Sequence, residues 1–128
     1  MHHADNTPGR AMQAVMNKDR AAWLACFAPD ALVRDPVGGS PLDPEGKGLR
    51  GHDAIAKLWD GLVAPLAAVR FEVREEHTSG NAIARVATVH LTLPDGATLE
   101  YPGVFVYDLD EQQRIAELRG YFQLPKMG

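Results

Sequence analysis

Residues 82–107 read AIARVATVHLTLPDGATLEYPGVFVY: two runs of alternating character on either side of Leu93-Pro94-Asp95-Gly96-Ala97. Alternation with period two predicts strands, over Ala82 to Leu93 and over Leu99 to Tyr107. The five residues between them suit a three-residue hairpin loop, with a type I turn at Pro94-Asp95 and Gly96 left-handed. That loop pairs Leu91 with Leu99, Val89 with Tyr101 and Ala87 with Gly103. One face then carries Ala87, Val89, Leu91, Leu99, Tyr101, Gly103 and Phe105, and a slip of one residue would expose them all. His90 falls opposite Glu100 on the other face, as a surface or subunit-contact pair.

Working outward, period two also holds from Val69 to Glu76, and His77 to Asn81 reads as a turn. Asp108 to Arg114 is a polar turn, and Ile115 to Leu124 is the final strand. The front of the chain has helical spacing instead. Thr7 is the expected N-cap of a first helix with Pro8 at its first position, and Met12, Val15 and Met16 form its apolar face. Asn17-Lys18 breaks that helix and Asp19 caps a second, whose stripe is Trp23, Leu24 and Phe27. Ala28-Pro29-Asp30 ends it, because the residue before proline avoids helical geometry. A short strand, Ala31 to Arg34, leads into residues 36–50, a loop holding four glycines and three prolines. A third helix is expected from Asp53 to Val63, with Ile55, Leu58, Trp59 and Leu62 on one side and Pro65 as its stop. Three helices and a short strand followed by four long antiparallel strands define an α+β domain, its helices covering one face of a curved sheet.

A length of 128 residues predicts one domain, 1–128, with room for a real core. The net charge of −4 and the scattered lysines and arginines argue against a nucleic-acid partner or an anionic membrane surface. Cys26 is the only cysteine, so neither an intrachain disulfide nor a thiolate zinc cage is available, and it reads as a small buried hydrophobe. No run is apolar enough to span a bilayer or act as a signal peptide, so a cytoplasmic location is expected. The five histidines lack ligand spacing, and His2 and His3 carry no metal reading. Phosphate-loop, dinucleotide and zinc-helix motifs are absent, and Ser40 and Ser79 lack the setting of a nucleophile. Neither cofactor nor metal is expected.

Asp35 is the acid with chemistry to offer. It closes, after Arg34, the apolar run Ala31-Leu32-Val33 and precedes Pro36-Val37-Gly38-Gly39. Asp-Pro is a common turn initiator, and the residues alone favour that reading. A carboxylate at the mouth of an apolar strand is also open to desolvation, which raises its pKa and makes it a better base.

Several stretches resemble one family. Asp19-Arg20-Ala21-Ala22-Trp23-Leu24, Phe27-Ala28-Pro29-Asp30-Ala31 and Arg34-Asp35-Pro36-Val37-Gly38 resemble the front half of the ketosteroid isomerase-like branch of the NTF2-like (SnoaL-like) superfamily. Gly51 with Ala54-Ile55 is similar to the start of its third helix. Gly103-Val104-Phe105-Val106-Tyr107 and Arg119-Gly120-Tyr121-Phe122 are similar to its last two strands. The resemblance implies a cone: three N-terminal helices packed on a strongly curved, mainly antiparallel sheet, enclosing an apolar pocket. It implies that Asp35 is a proton-shuttling general base whose modestly raised pKa is the family's property. It also implies pocket walls from Trp23, Phe27, Trp59, Val89, Leu91, Gly103, Phe105, Leu118 and Phe122, and the homodimer common in the family.

The resemblance fails at two positions. The family's tyrosine and protonated aspartic acid, which hold the enolate oxygen, fall on Ala11 and Gly103 here. Losing one such donor costs on the order of 10²–10³ in rate. Tyr101, one pleat from Gly103, is the best substitute donor, and the Trp59 indole is a second. The expected function is therefore binding of a flat apolar ketone, steroid or polyketide-like, with isomerase-type proton transfer by Asp35 and Tyr101. Binding of a steroid or other hydrophobe without chemistry is the alternative. Epoxide hydrolysis or cyclisation on the same scaffold carries less weight, because no Asp-Arg-Asp grouping is evident around Arg119 and Glu117.

Overall fold

A computed structural model describes residues 6–123; His2, His3 and Leu124 lie outside them. The elements run α1 (Thr7–Met16), α2 (Arg20–Ala25), β1 (Phe27–Arg34), β2 (Leu49–Arg50), α3 (His52–Leu58), β3 (Ala68–Ser79), β4 (Ala82–Thr92), β5 (Thr98–Leu109) and β6 (Ile115–Tyr121). A π-helical turn, Trp59–Val63, continues α3. The expected α+β architecture is present, with six strands in the order β2-β1-β6-β5-β4-β3. β1 and β6 are parallel and every other pair is antiparallel. The sheet curls without closing, and the helices cover its concave face.

The β4–β5 hairpin has the register read from the sequence: Leu91 opposite Leu99, Val89 opposite Tyr101, Ala87 opposite Gly103. The Leu93 amide donates to the Ala97 carbonyl at 2.8 Å, and Gly96 takes φ +90°. The outer face is polar, with His90 between Glu72 (3.1 Å) and Glu100 (3.2 Å). Buried side chains of β1, β4, β6 and α3, among them Phe27, Val33, Val89, Ile115 and Ile55, make the core. Burial of such a side chain contributes about 1.5–3 kcal/mol.

Several boundaries differ from the sequence expectation, most of them because a distant partner overrides local preference. The second helix stops at Ala25, and Phe27 begins β1 instead of ending a helical stripe. The cause is β6: the Ile115 amide donates to the Cys26 carbonyl at 2.7 Å, and Phe27 sits in register with Ile115. Pro29 is tolerated because the β1–β6 ladder is irregular between Phe27 and Leu32. Cys26 is half-buried at the end of α2, not inside it.

The cap of α1 is Asn6, not Thr7. The Asn6 side chain accepts from the Gly9 amide at 2.9 Å and donates to the Glu76 carboxylate at 3.1 Å. Thr7 is already helical, and its hydroxyl donates to the Gln113 carbonyl at 2.5 Å. The turn expected at His77–Asn81 shrinks to Gly80-Asn81, because His77, Thr78 and Ser79 still pair with Ala84, Ile83 and Ala82. Asp108 and Leu109 likewise remain in β5, and β6 ends at Tyr121.

Lys18 ties the helical layer together. Its ammonium donates to the carbonyls of Val63 (2.6 Å), Ala64 (3.2 Å) and Leu66 (2.7 Å), the acceptors at and just after the end of the π-helical turn. The α1 cap offers a direct check on the frame. Asn6→Ala is expected to cost about 1 kcal/mol in denaturant unfolding. An unchanged midpoint would return the capping role to Thr7.

Candidate functional site

β1 runs beside β6 until Arg34 meets Arg119, and the chain then turns inward at Asp35. The Asp35–Pro36 peptide is cis. The Val37 amide donates to the Gly120 carbonyl at 2.8 Å, so the segment is anchored on β6 on both sides of the acid. Alternation sends the neighbouring charges the other way. On the outer face Arg34 pairs with Glu117 (2.9 Å), and Arg119 pairs with Asp108 (2.7 Å) and Glu117 (2.8 Å). These cations hold Glu117 below the usual carboxylate range.

Asp35 receives no such help. It lines the interior, and its Oδ1 is buried without a hydrogen-bond partner among the described residues. Desolvation alone pushes its pKa up to about 6. Gly120 makes the placement possible. A Cβ there would fall onto Asp35 Oδ1 and lie 2.8 Å from the Phe122 ring. Nothing in the sequence reading singled out Gly120, although a glycine inside a strand is a recognised sign of close approach.

The carboxyl opens into a cavity of about 360 Å³, within the range that holds a small organic ligand. Its deep wall is made of buried residues: Ala11, Met12, Val15, Trp23, Phe27, Phe105, Tyr107 and Leu118. Its rim, where the lining residues are partly or fully exposed, comprises Ser40, Pro41, Gly61, Leu62 and Pro65. Val89, Leu91, Tyr101 and Phe122 lie along the sheet side. Among the described residues, Asp35, Ser40, Tyr101 and Tyr107 bring the hydroxyl and acid groups to this lining.

Most residues singled out from the sequence converge here: Asp35, Tyr101, Trp23, Phe27, Val89, Leu91, Phe105, Leu118 and Phe122. Trp59 and Gly103 are not among the lining. Trp59 is buried and packs against Trp23, ring centroids 5.3 Å apart. Gly103 is covered by aromatic side chains, so a Cβ there would meet Phe122 Cβ at 3.1 Å and the Phe105 ring at 3.3 Å. Ala11 does reach the cavity, but as a bare methyl group.

Tyr107 was missed. It is buried at 4% exposure and continues the inward face of β5 one pleat beyond Phe105, opposite Ile83 and Leu118. The expected strand already runs to Tyr107, and the alternation that picked out Tyr101 and Phe105 reaches it one pleat further along the same face. No hydrogen bond ties either phenol to another described residue. Burial and the nearby Asp35 charge raise the pKa of both. Among the described residues no group of three or more His, Cys, Asp or Glu side chains is placed to hold a metal ion. No helix among them is long and apolar enough to cross a membrane.

A helix-covered, curled sheet around an apolar hollow, with one desolvated acid on its wall, is a cone-shaped architecture. Residues 9–118 match the family model described as a SnoaL-like domain, and the chain belongs to that NTF2-like family. Among solved structures it is similar to RV0760c from Mycobacterium tuberculosis in complex with estradiol-17beta-hemisuccinate (30% identity, 92% of each chain covered, TM-score 0.84). It is also similar to a Δ5-3-ketosteroid isomerase from Mycobacterium sp. (32% identity, 91% of this chain and 90% of that one, TM-score 0.85). A third similar structure is a computationally designed 17-OHP binder (32% identity, 92% and 90% covered, TM-score 0.85). Compared with curated proteins, the sequence matches none.

Two outcomes follow from the Asp35 environment. Its pKa is higher folded than unfolded, so the folded state favours the protonated form. That contribution is complete below the unfolded value of 3.8 and is lost as pH rises through about 6. Asp35→Asn should therefore gain stability relative to the parent between pH 4 and 7, by up to about 3 kcal/mol; a pH-independent difference in urea unfolding would refute the buried charge. Gly120→Ala should displace the carboxyl, cost about 1–3 kcal/mol and let the Asp35 pKa, followed by carboxyl ¹³C NMR, fall back towards its ordinary value. A pKa held at about 6 in a stable Gly120→Ala protein would show that the strand does not set the position of the acid.

Proposed function

We propose that the protein binds a flat, apolar ketone of steroid or polyketide type in the cone and that Asp35 moves a proton along it. The observation that carries this reading is the partnerless, desolvated Asp35 carboxyl facing an apolar cavity, with a pKa of about 6. A base needs a proton affinity close to the working pH, and this environment supplies it without a cation or a metal.

In the proposed reaction the Asp35 carboxylate takes the proton from the carbon next to the ketone. The released pair forms a carbon–carbon double bond while the carbonyl electrons move onto oxygen, giving a dienolate. Protonated Asp35 then returns the proton to the far carbon of the dienolate, and the carbonyl re-forms. The net change is a moved double bond, with no cofactor consumed. A hydroxyl donor to the dienolate oxygen is worth about 2.7–4 kcal/mol. Tyr101 and Tyr107 are the phenols on the cavity wall, in place of the donors absent at Ala11 and Gly103.

A second reading, binding without turnover, is favoured by one observation: neither Ala11 nor Gly103 has a group to stabilise an oxyanion. A cone of this kind still gains about 25 cal/mol for each Å² of apolar ligand surface it buries. With a 3-ketosteroid bearing an isolated double bond, the isomerase reading expects turnover that Asp35→Asn abolishes while leaving affinity nearly unchanged. It also expects kcat/KM to rise with pH through about 6, as Asp35 loses its proton. Equal turnover by the variant ends the proton-shuttle reading, and tight binding with no hydrogen exchange at the α-carbon selects the binding protein.

A further inference from the structure

We infer that Tyr107, at the deep end of the cavity, is the donor that holds the ligand's ketone oxygen, so that the ligand enters carbonyl first. This rests on the proton-transfer reading and deepens it. The carbon beside a carbonyl, on which such a base works, is two bonds from the carbonyl oxygen. Donor and base must therefore serve the same end of the ligand.

The β-sheet register separates the two phenols by this criterion. Asp35 lies against Gly120, which pairs with Phe105 of β5. Tyr107 is two residues from Phe105 on the same face, about 7 Å along the strand. Tyr101 is four residues away in the opposite direction, about 13 Å, near the hairpin and the rim. Tyr107 is buried, whereas Tyr101 keeps part of its surface and lays its ring against Phe122, centroids 5.0 Å apart. The bare methyl of Ala11 shares the deep wall with Tyr107, so no donor from α1 competes for the oxygen there.

Electrostatics do not separate the two phenols: burial first, and then the Asp35 charge, raise the pKa of both, and the buried Arg85 offsets only part of this at Tyr107. Arg85 is held at the base of the sheet by Glu76, 2.7 Å away.

The test uses the full chain and two probes that differ by one hydroxyl group, 2-naphthol and naphthalene. 2-Naphthol presents an oxygen on a flat apolar skeleton, as an enolate does. Tyr107→Phe is expected to weaken 2-naphthol binding about 10- to 100-fold and to leave naphthalene binding within about twofold, while Tyr101→Phe changes either little. Undiminished 2-naphthol affinity in Tyr107→Phe, or the loss appearing in Tyr101→Phe instead, overturns the assignment.

A second measurement does not depend on the Tyr107 variant folding. The sequence has three tyrosines, so 3-fluorotyrosine labelling gives three ¹⁹F resonances, and Tyr101→Phe and Tyr121→Phe identify Tyr107 by elimination. Its resonance should move with 2-naphthol and not with naphthalene; a resonance indifferent to the hydroxyl overturns the inference. Absence of ketone turnover alongside a positive naphthol result would remove the proton shuttle and leave Tyr107 as the oxygen-binding group. The two failures are thereby distinct.

Discussion

The parallel pairing of β1 with β6 is the constraint on which the site depends. It ends α2 at Ala25 by engaging the Cys26 carbonyl, draws Phe27 into the sheet and carries Arg34 alongside Arg119. The next residue, Asp35, then has one place to go: over Gly120, with Val37 tied back to the same strand. Parallel neighbours joined across most of the chain form late and at an entropic cost that only a well-packed core offsets. Here that core includes Phe27, Val33 and Ile115, the largest fully buried side chains of the two strands.

Charge is sorted by the pleat. Arg34, Glu117, Arg119 and Asp108 neutralise one another on the outer face, while Asp35, one residue beyond Arg34, faces a wall of hydrocarbon and aromatic carbon. A carboxyl so placed is a poor structural residue, since its charge has lost water and gained nothing in return. Its cost to stability and its suitability as a base have the same origin, the missing partner. Functional groups held at the expense of stability are what a binding or reaction site looks like energetically.

Much of this was legible in the chain. The β4–β5 register followed from the Pro94-Asp95-Gly96 turn and the two-residue period, because both are local and agree with each other. Asp19 capping α2 was equally local. The errors cluster where a residue answers to a distant strand. Phe27 has helical spacing from Trp23, yet pairs with Ile115; Thr7 is a good cap by type, yet Asn6 takes the role because Glu76 waits beside it. Gly120 and Tyr107 were visible as residue types, but their importance depends on which atoms lie across the cavity.

The sequence by itself determined the period of each segment, the hairpin register, the apolar inner face and the presence of one acid at the end of an apolar strand. These follow from interactions within a few residues, or across one tight turn, which a linear reading captures. Only the tertiary structure decided that this acid is desolvated, that Trp59 and Gly103 lie outside the cavity lining, and that two phenols flank the carboxyl from opposite ends. Those outcomes arise from the curl of a six-stranded sheet and the pairing of its first and last strands. Burial and electrostatics are properties of the assembled surface, and no stretch of the chain holds them alone.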